Sequence, residues 1–158
     1  MTEKIAIQDR YGERFQHCWG CGAKNEEGLH LKSYPSPDGS GCETRITPDQ
    51  RFTGGVPANL FGGMIASLFD CHGTASAAWF FLKEQGGSLE TSETIQRFIT
   101  AHLEIDFKKP VPMNREIRIC SRLLELSARK VILEMELTVK ETLCARAKMV
   151  AVAAKKEM

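Results

Sequence analysis

Apolar and polar positions along this chain follow two different periods. From Gly62 to Leu82 the chain reads GGMIASLFDCHGTASAAWFFL, an apolar stretch long enough for one helix, with a single acid, Asp70, near its middle. From Ile95 onward the period falls to two. Ala101, Leu103, Ile105 and Phe107 alternate with Thr100, His102, Glu104 and Asp106, and Val131, Leu133, Met135, Leu137 and Val139 alternate with Glu134, Glu136, Thr138 and Lys140. The segments EIRICSRLLEL and LCARAKMVAVA supply two further strands, joined through KKPVPMN, SARK and ET, breaks of the length that antiparallel neighbours use.

Upstream of the helix, Leu29–Tyr34 and Cys42–Thr47 read as two short strands joined by the turn-rich PSPDGSG, a hairpin. A Gly- and Pro-containing loop from Pro48 to Phe61 leads into the helix. The helix should stop near Lys83, before a polar segment to Thr94 that reads as a loop or mobile lid. The expected architecture is α+β, an antiparallel sheet wrapped around one long central helix. The chain of 158 residues suits one domain, with a polar lead over 1–16, a core over about 17–153 and a solvated tail over 154–158.

Charge narrows the picture by exclusion. Twenty-one Lys and Arg face twenty Asp and Glu, a formal net charge of +1, so no global field points to nucleic acid or an acidic surface. Asp70, His72 and Gly73 inside the long apolar stretch argue for a buried core helix over a membrane span. The first residues have no continuous apolar run resembling a secretory signal, and six irregularly spaced cysteines read as reduced thiols, so a cytoplasmic location is expected.

The chemistry begins at Asp70, because a carboxylate withdrawn from water needs pairing, hydrogen bonding or use. Gly62 and Gly63 open the same helix, where backbone N–H groups lack internal partners and small residues let a substrate oxygen approach. Such an end can hold an oxyanion, aided by the helix dipole. Eight residues separate Gly62 from Asp70, ~12 Å along the axis, so one carbonyl cannot touch both in one helix. Two antiparallel helices across a two-fold axis would bring one chain's glycine to the other's acid, a dimer with two composite sites. Ser67 and Thr74 lie three and four residues from Asp70 and make a polar stripe with it, in which Thr74 can hydrogen-bond the carboxylate or a water.

FGGMIASLFD followed by CHGTA resembles the active-site helix of hotdog-fold acyl-CoA thioesterases, in particular the PaaI-like group. HCWGCGAKNEEGLHL is similar to the Cys-Gly-Cys-Gly, Asn, Gly-Leu opening of many members, and TAHLEIDFKKPVP to the strand and Pro turn after the helix. The resemblance implies a hotdog homodimer or dimer of dimers with acyl-CoA bound between subunits and no metal or redox cofactor. By position, Asp70 matches the family's catalytic acid, Gly62 the backbone donor to the thioester carbonyl, Gly63 its neighbour and Thr74 an assisting hydroxyl. Many relatives carry His before the two glycines, where this chain has Phe61. The family's water-positioning amide is not in register, and Asn59 is the nearby substitute. Asp70 would act as general base on water or as a nucleophile forming a mixed anhydride.

Other signals are weaker. Cys18 and Cys21, flanked by His17 and with Cys42 downstream, invite a zinc reading, but without a second C-x-x-C pair a packed turn is expected and no metal. Cys71 and His72 read as core or interface residues. Lys108, Lys109, Arg115, Arg129 and Lys130 surround two sheet turns and could bind CoA phosphates, while Trp79, Phe80 and Phe81 read as aromatic core filling. The leading reading is an acyl-CoA thioesterase. Its rivals are a non-catalytic acyl-CoA-binding or regulatory protein and a hotdog hydratase, the latter disfavoured because His72 is only two residues from Asp70.

Overall fold

In the computed structural model, which describes residues 3–156, six strands form one antiparallel sheet over a single long helix. The strands are β1 (Tyr34–Pro35), β2 (Gly41–Ile46), β3 (Phe98–Phe107), β4 (Ile117–Leu126), β5 (Lys130–Val139) and β6 (Thr142–Ala153), and the helix α1 spans Gly62–Glu84. Their order across the sheet is β1-β2-β4-β5-β6-β3. The strand that follows the helix therefore crosses to the far edge and pairs with β6, which leaves its other side without a strand neighbour.

The helix lies on the apolar face of this sheet. Val131, Leu133, Met135, Leu137 and Val139 on β5 and Ala145, Ala147, Met149 and Ala151 on β6 are buried beneath it, as their alternation requires. Small residues on β6 allow a close approach. A Cβ on Gly73 would stand 2.5 Å from Met149 and 2.9 Å from Met135, so glycine sets the helix–sheet spacing there. The helix ends in a Schellman turn: Gly86 has φ +78°, its N–H reaches the Lys83 carbonyl at 3.0 Å, and the Gly87 N–H reaches Leu82 at 3.0 Å.

The opposite face of the sheet is wet and charged. Arg122 pairs with Glu134, Arg146 with Glu136, and Arg118 and Arg45 with Glu43, at positions facing each other across neighbouring strands or along one strand. Exposed pairs of this kind contribute little stability, but they keep that face solvated.

Two expectations, the first strand and the solvated tail, are corrected. Of the expected Leu29–Tyr34 strand only Tyr34 pairs with β2, together with Pro35 just beyond it. The Leu29 and Leu31 amides donate instead to the Trp19 and Gly20 carbonyls at 2.9 and 3.0 Å, so their bonding capacity goes to the Cys18–Cys21 loop. The polar lead is not solvated throughout: a 3-10 turn over Ile7–Arg10 packs on α1, with Ala6, Ile7 and Tyr11 buried. The segment expected as a loop or mobile lid is a loop pinned to that lead, for Arg10 donates to the Leu89 carbonyl at 2.8 Å and Leu89 is buried. In the tail, Ala154 is buried and its N–H bonds the Arg97 carbonyl at 2.8 Å, while Lys155 and Lys156 are exposed and 157–158 lie outside the described residues.

Candidate active site

Asp70 is partly buried on the helix face turned toward β3. Its carboxylate accepts a short hydrogen bond from the hydroxyl of Thr100. Strict alternation would set Thr100 with His102, Glu104 and Asp106 on the polar side of the strand. A bulge at Ala101, between the pairs Thr100 with Ala151 and His102 with Val150, shifts the phase by one residue. Phe98 and Thr100 before the bulge therefore share the helix-facing side with Leu103, Ile105 and Phe107 after it. Thr100 is the Asp70 partner that periodicity missed, because one inserted residue inverts the facing of everything before it.

Thr74, expected to serve the carboxylate, is occupied elsewhere. Its hydroxyl donates back to the helix, to the carbonyls of Asp70 at 3.1 Å and Cys71 at 3.3 Å, and the side chain is 3% exposed. This is the usual behaviour of a threonine inside a helix. Ser67 does the same, bonding the Gly63 carbonyl at 2.9 Å.

The helix N-terminus is open. Gly62 and Gly63 are exposed, and their N–H groups have no partner among the described residues. Phe61, at the N-cap position, offers no side-chain cap, and its ring folds back onto Gly63, where a Cβ would meet it at 2.5 Å. Phe107 approaches Gly62 from β3, 3.7 Å from where its Cβ would be. Trp19, Phe52 and Phe61 continue this rim, with ring centroids 5.9 and 6.5 Å apart in sequence. The loop before the helix is held in place by the Leu60 amide donating to Val111 at 2.8 Å and by a bridge between Asn59 and Pro112. Asn59 is partly buried near this end, and its side-chain amide has no hydrogen-bond partner among the described residues.

The five cations do not form one group. Lys108 and Lys109 donate their amides to Cys144 at 2.8 and 3.0 Å, at the end of the sheet nearest the helix N-terminus, and Arg115 lies on the same side. Arg129 and Lys130 sit at the other end of β5, a ten-residue strand and hence roughly 33 Å away. A groove of about 630 Å³ runs along β1 and β2 past Tyr34, Pro35 and Arg45, and Asp70 does not line it.

Behind Asp70 the helix carries a buried polar chain. The Gln8 amide donates to the Ser33 hydroxyl at 3.1 Å, and that hydroxyl lies 2.8 Å from Nδ1 of His72. The Ser33 hydroxyl thus bridges the Gln8 amide and the His72 imidazole. Burial pushes the His72 imidazole down to about 4. It is a core residue, as expected, and not a partner of Asp70.

An antiparallel sheet folded over one long helix defines the hotdog class. The chain belongs to the thioesterase-like superfamily, whose family model matches residues 67–157. Among solved structures it is similar to a thioesterase superfamily protein from Shewanella loihica, with 34% identity, a TM-score of 0.67, and coverage of 90% of this chain and 97% of that one. The Escherichia coli PaaI protein from the phenylacetic acid degradation operon shares the fold at 11% identity and TM-score 0.59, covering 73% of each chain. The smu.793 protein of Streptococcus mutans, solved bound to acetyl CoA, does so at 13% identity and TM-score 0.59, covering 74% of this chain and 83% of that one. No curated protein matches the chain.

Proposed function

We propose that the protein hydrolyses an acyl-CoA thioester to free CoA and a carboxylic acid, with Asp70 as general base or nucleophile. The observation that carries this reading is the pairing of two chemistries on one helix, a hydrogen-bonded but accessible carboxylate at Asp70 and unpaired amides at Gly62 and Gly63. The acetyl-CoA complex of the Streptococcus relative supports the choice of substrate class.

The acid and the amides are too far apart to act together within one helix, so the working unit is a homodimer, and a dimer of dimers would preserve the same sites. The unpaired edge of β3 and the exposed Phe107 beside Gly62 supply the surface for such pairing. In each composite site, one subunit's Gly62 N–H, with that of Gly63 beside it, donates a hydrogen bond to the thioester oxygen as it becomes negative. The other subunit's Asp70 takes a proton from water while the water oxygen bonds to the acyl carbon. The C–S bond then breaks, and the departing thiolate takes up a proton. In the nucleophilic variant Asp70 bonds the acyl carbon itself, and water cleaves the resulting anhydride. Lys108 is placed to meet a CoA phosphate near the helix N-terminus, whereas Arg129 and Lys130 would have to meet a different part of the ligand.

CoA release from a panel of acyl-CoAs tests the reading. Turnover by the wild-type protein and loss of at least a hundredfold in Asp70→Asn are expected. Undiminished turnover in that variant would remove Asp70 from the mechanism, and tight CoA binding with no turnover would make the protein a binding module.

A further inference from the structure

The segment Cys18–Gly22 closes into a tight knuckle against α1, one residue beyond Asp70. The Gly22 N–H donates to the Cys18 carbonyl at 2.7 Å. Neither glycine tolerates a side chain: a Cβ on Gly20 would lie 2.3 Å from the Cys71 sulfur, and one on Gly22 would lie 2.5 Å from both the Cys18 nitrogen and the Gln16 carbonyl. The knuckle thereby delivers two thiols to a third on the helix. The sulfurs of Cys18, Cys21 and Cys71 all lie within 4.8 Å of one another, with Cys18 and Cys71 at 3.8 Å.

That separation discriminates between chemistries. A disulfide requires about 2.05 Å, so these are three separate thiols. A tetrahedral ion bound through metal–sulfur bonds of about 2.3 Å holds its sulfur ligands about 3.8 Å apart. Two further features fit a site prepared for charge. Backbone N–H groups of Cys21 and Gly20 are directed at the Cys18 sulfur, where they would offset negative charge on a bound thiolate. The hydroxyl of Tyr11, 3% exposed and without a hydrogen-bond partner among the described residues, lies close enough to feel charge on all three sulfurs, and Arg97 stacks over its ring at 4.5 Å.

We propose that Cys18, Cys21 and Cys71 form a three-thiolate site for a thiophilic divalent ion of the zinc type. No fourth Cys, His, Asp or Glu joins the group among the described residues, and Cys18 is partly exposed, so the fourth position falls to solvent. The ion would tie the N-terminal loop to the catalytic-candidate helix next to Asp70. The missing second C-x-x-C pair is thus replaced by one cysteine from α1, 50 residues beyond Cys21.

The test is cobalt binding to the full chain, purified reduced and freed of metal. One Co²⁺ per chain should produce a thiolate-to-cobalt charge-transfer band that Zn²⁺ abolishes by displacement. Cys71→Ser and the partly exposed Cys18→Ser should each lose the band or weaken binding at least tenfold, and Cys120→Ser should retain it. Zinc should also protect three of the six cysteines from alkylation in the wild-type protein, a readout that does not depend on how the variants fold. No band in reduced wild-type protein, a band undiminished in both serine variants, or unprotected thiols would each overturn the proposal. None of these readouts involves thioester turnover.

Discussion

The hydroxyl of Thr100 on β3 donates a hydrogen bond to the carboxylate of Asp70 on α1, across 30 positions of sequence. The contact orients the acid and satisfies one of its oxygens, leaving the other for water or substrate. A hydrogen bond to a charged group is worth about 1.5–3 kcal/mol.

Thr100→Val keeps the shape and removes the donor. On the proposed mechanism it should lower kcat for CoA release about tenfold or more, with KM little changed, while Thr100→Ser restores most of the rate. Steady-state kinetics on the three proteins decide the matter. Equal kcat in wild type and Thr100→Val would show that the carboxylate needs no help from β3.

The composite site predicts complementation. Asp70→Asn and Gly62→Val should each be inactive as homodimers. Mixed by unfolding and refolding together, half the dimers would be hybrids, each with one intact site, returning about a quarter of wild-type activity. Recovery near zero, with hybrids demonstrated by native mass spectrometry, would place both groups of a working site in one chain.

Gly63→Ala separates stability from activity. The new methyl displaces only the exposed Phe61 ring, and alanine favours the helix by up to about 1 kcal/mol, so Tm should hold or rise. Swinging the ring should alter access to the amides and change KM. Thermal melts and kinetics on one preparation check both halves, and a marked fall in Tm would refute the packing argument.

His72 predicts acid sensitivity. Its imidazole is pushed down to about 4 in the folded protein by burial and titrates near 6.5 when unfolded. Between those values the unfolded chain binds a proton that the folded chain does not. Stability from this group is therefore fully present above about 6.5 and is lost as pH falls toward 4, by about 3 kcal/mol in all. Urea unfolding at several pH values, on wild type and His72→Gln, should show a steeper acid loss in the wild type. Parallel profiles would count against it.

An apolar run of helical length sufficed for α1, and two-residue alternation for the existence of β3 to β6 and for the buried faces of β5 and β6. Alternation failed at Leu29–Ser33. Those residues have strand-like composition, yet the Leu29 and Leu31 amides are taken by the Cys18–Cys21 loop and the Ser33 amide by Gln8, pairings between segments that no local pattern encodes.

By itself the sequence determined the helix, its acid, its glycine opening and the antiparallel run that covers it, since each is a local consequence of residue type and spacing. Only the tertiary structure decided who touches whom. The Ala101 bulge turned Thr100 to Asp70, Thr74 was drawn into its own helix, and Cys71 was brought to Cys18 and Cys21. The physical reason is common to all three. One inserted residue reverses a strand's facing, a buried hydroxyl takes the nearest carbonyl, and a loop can meet a helix wherever packing closes, none of which leaves a period in the chain.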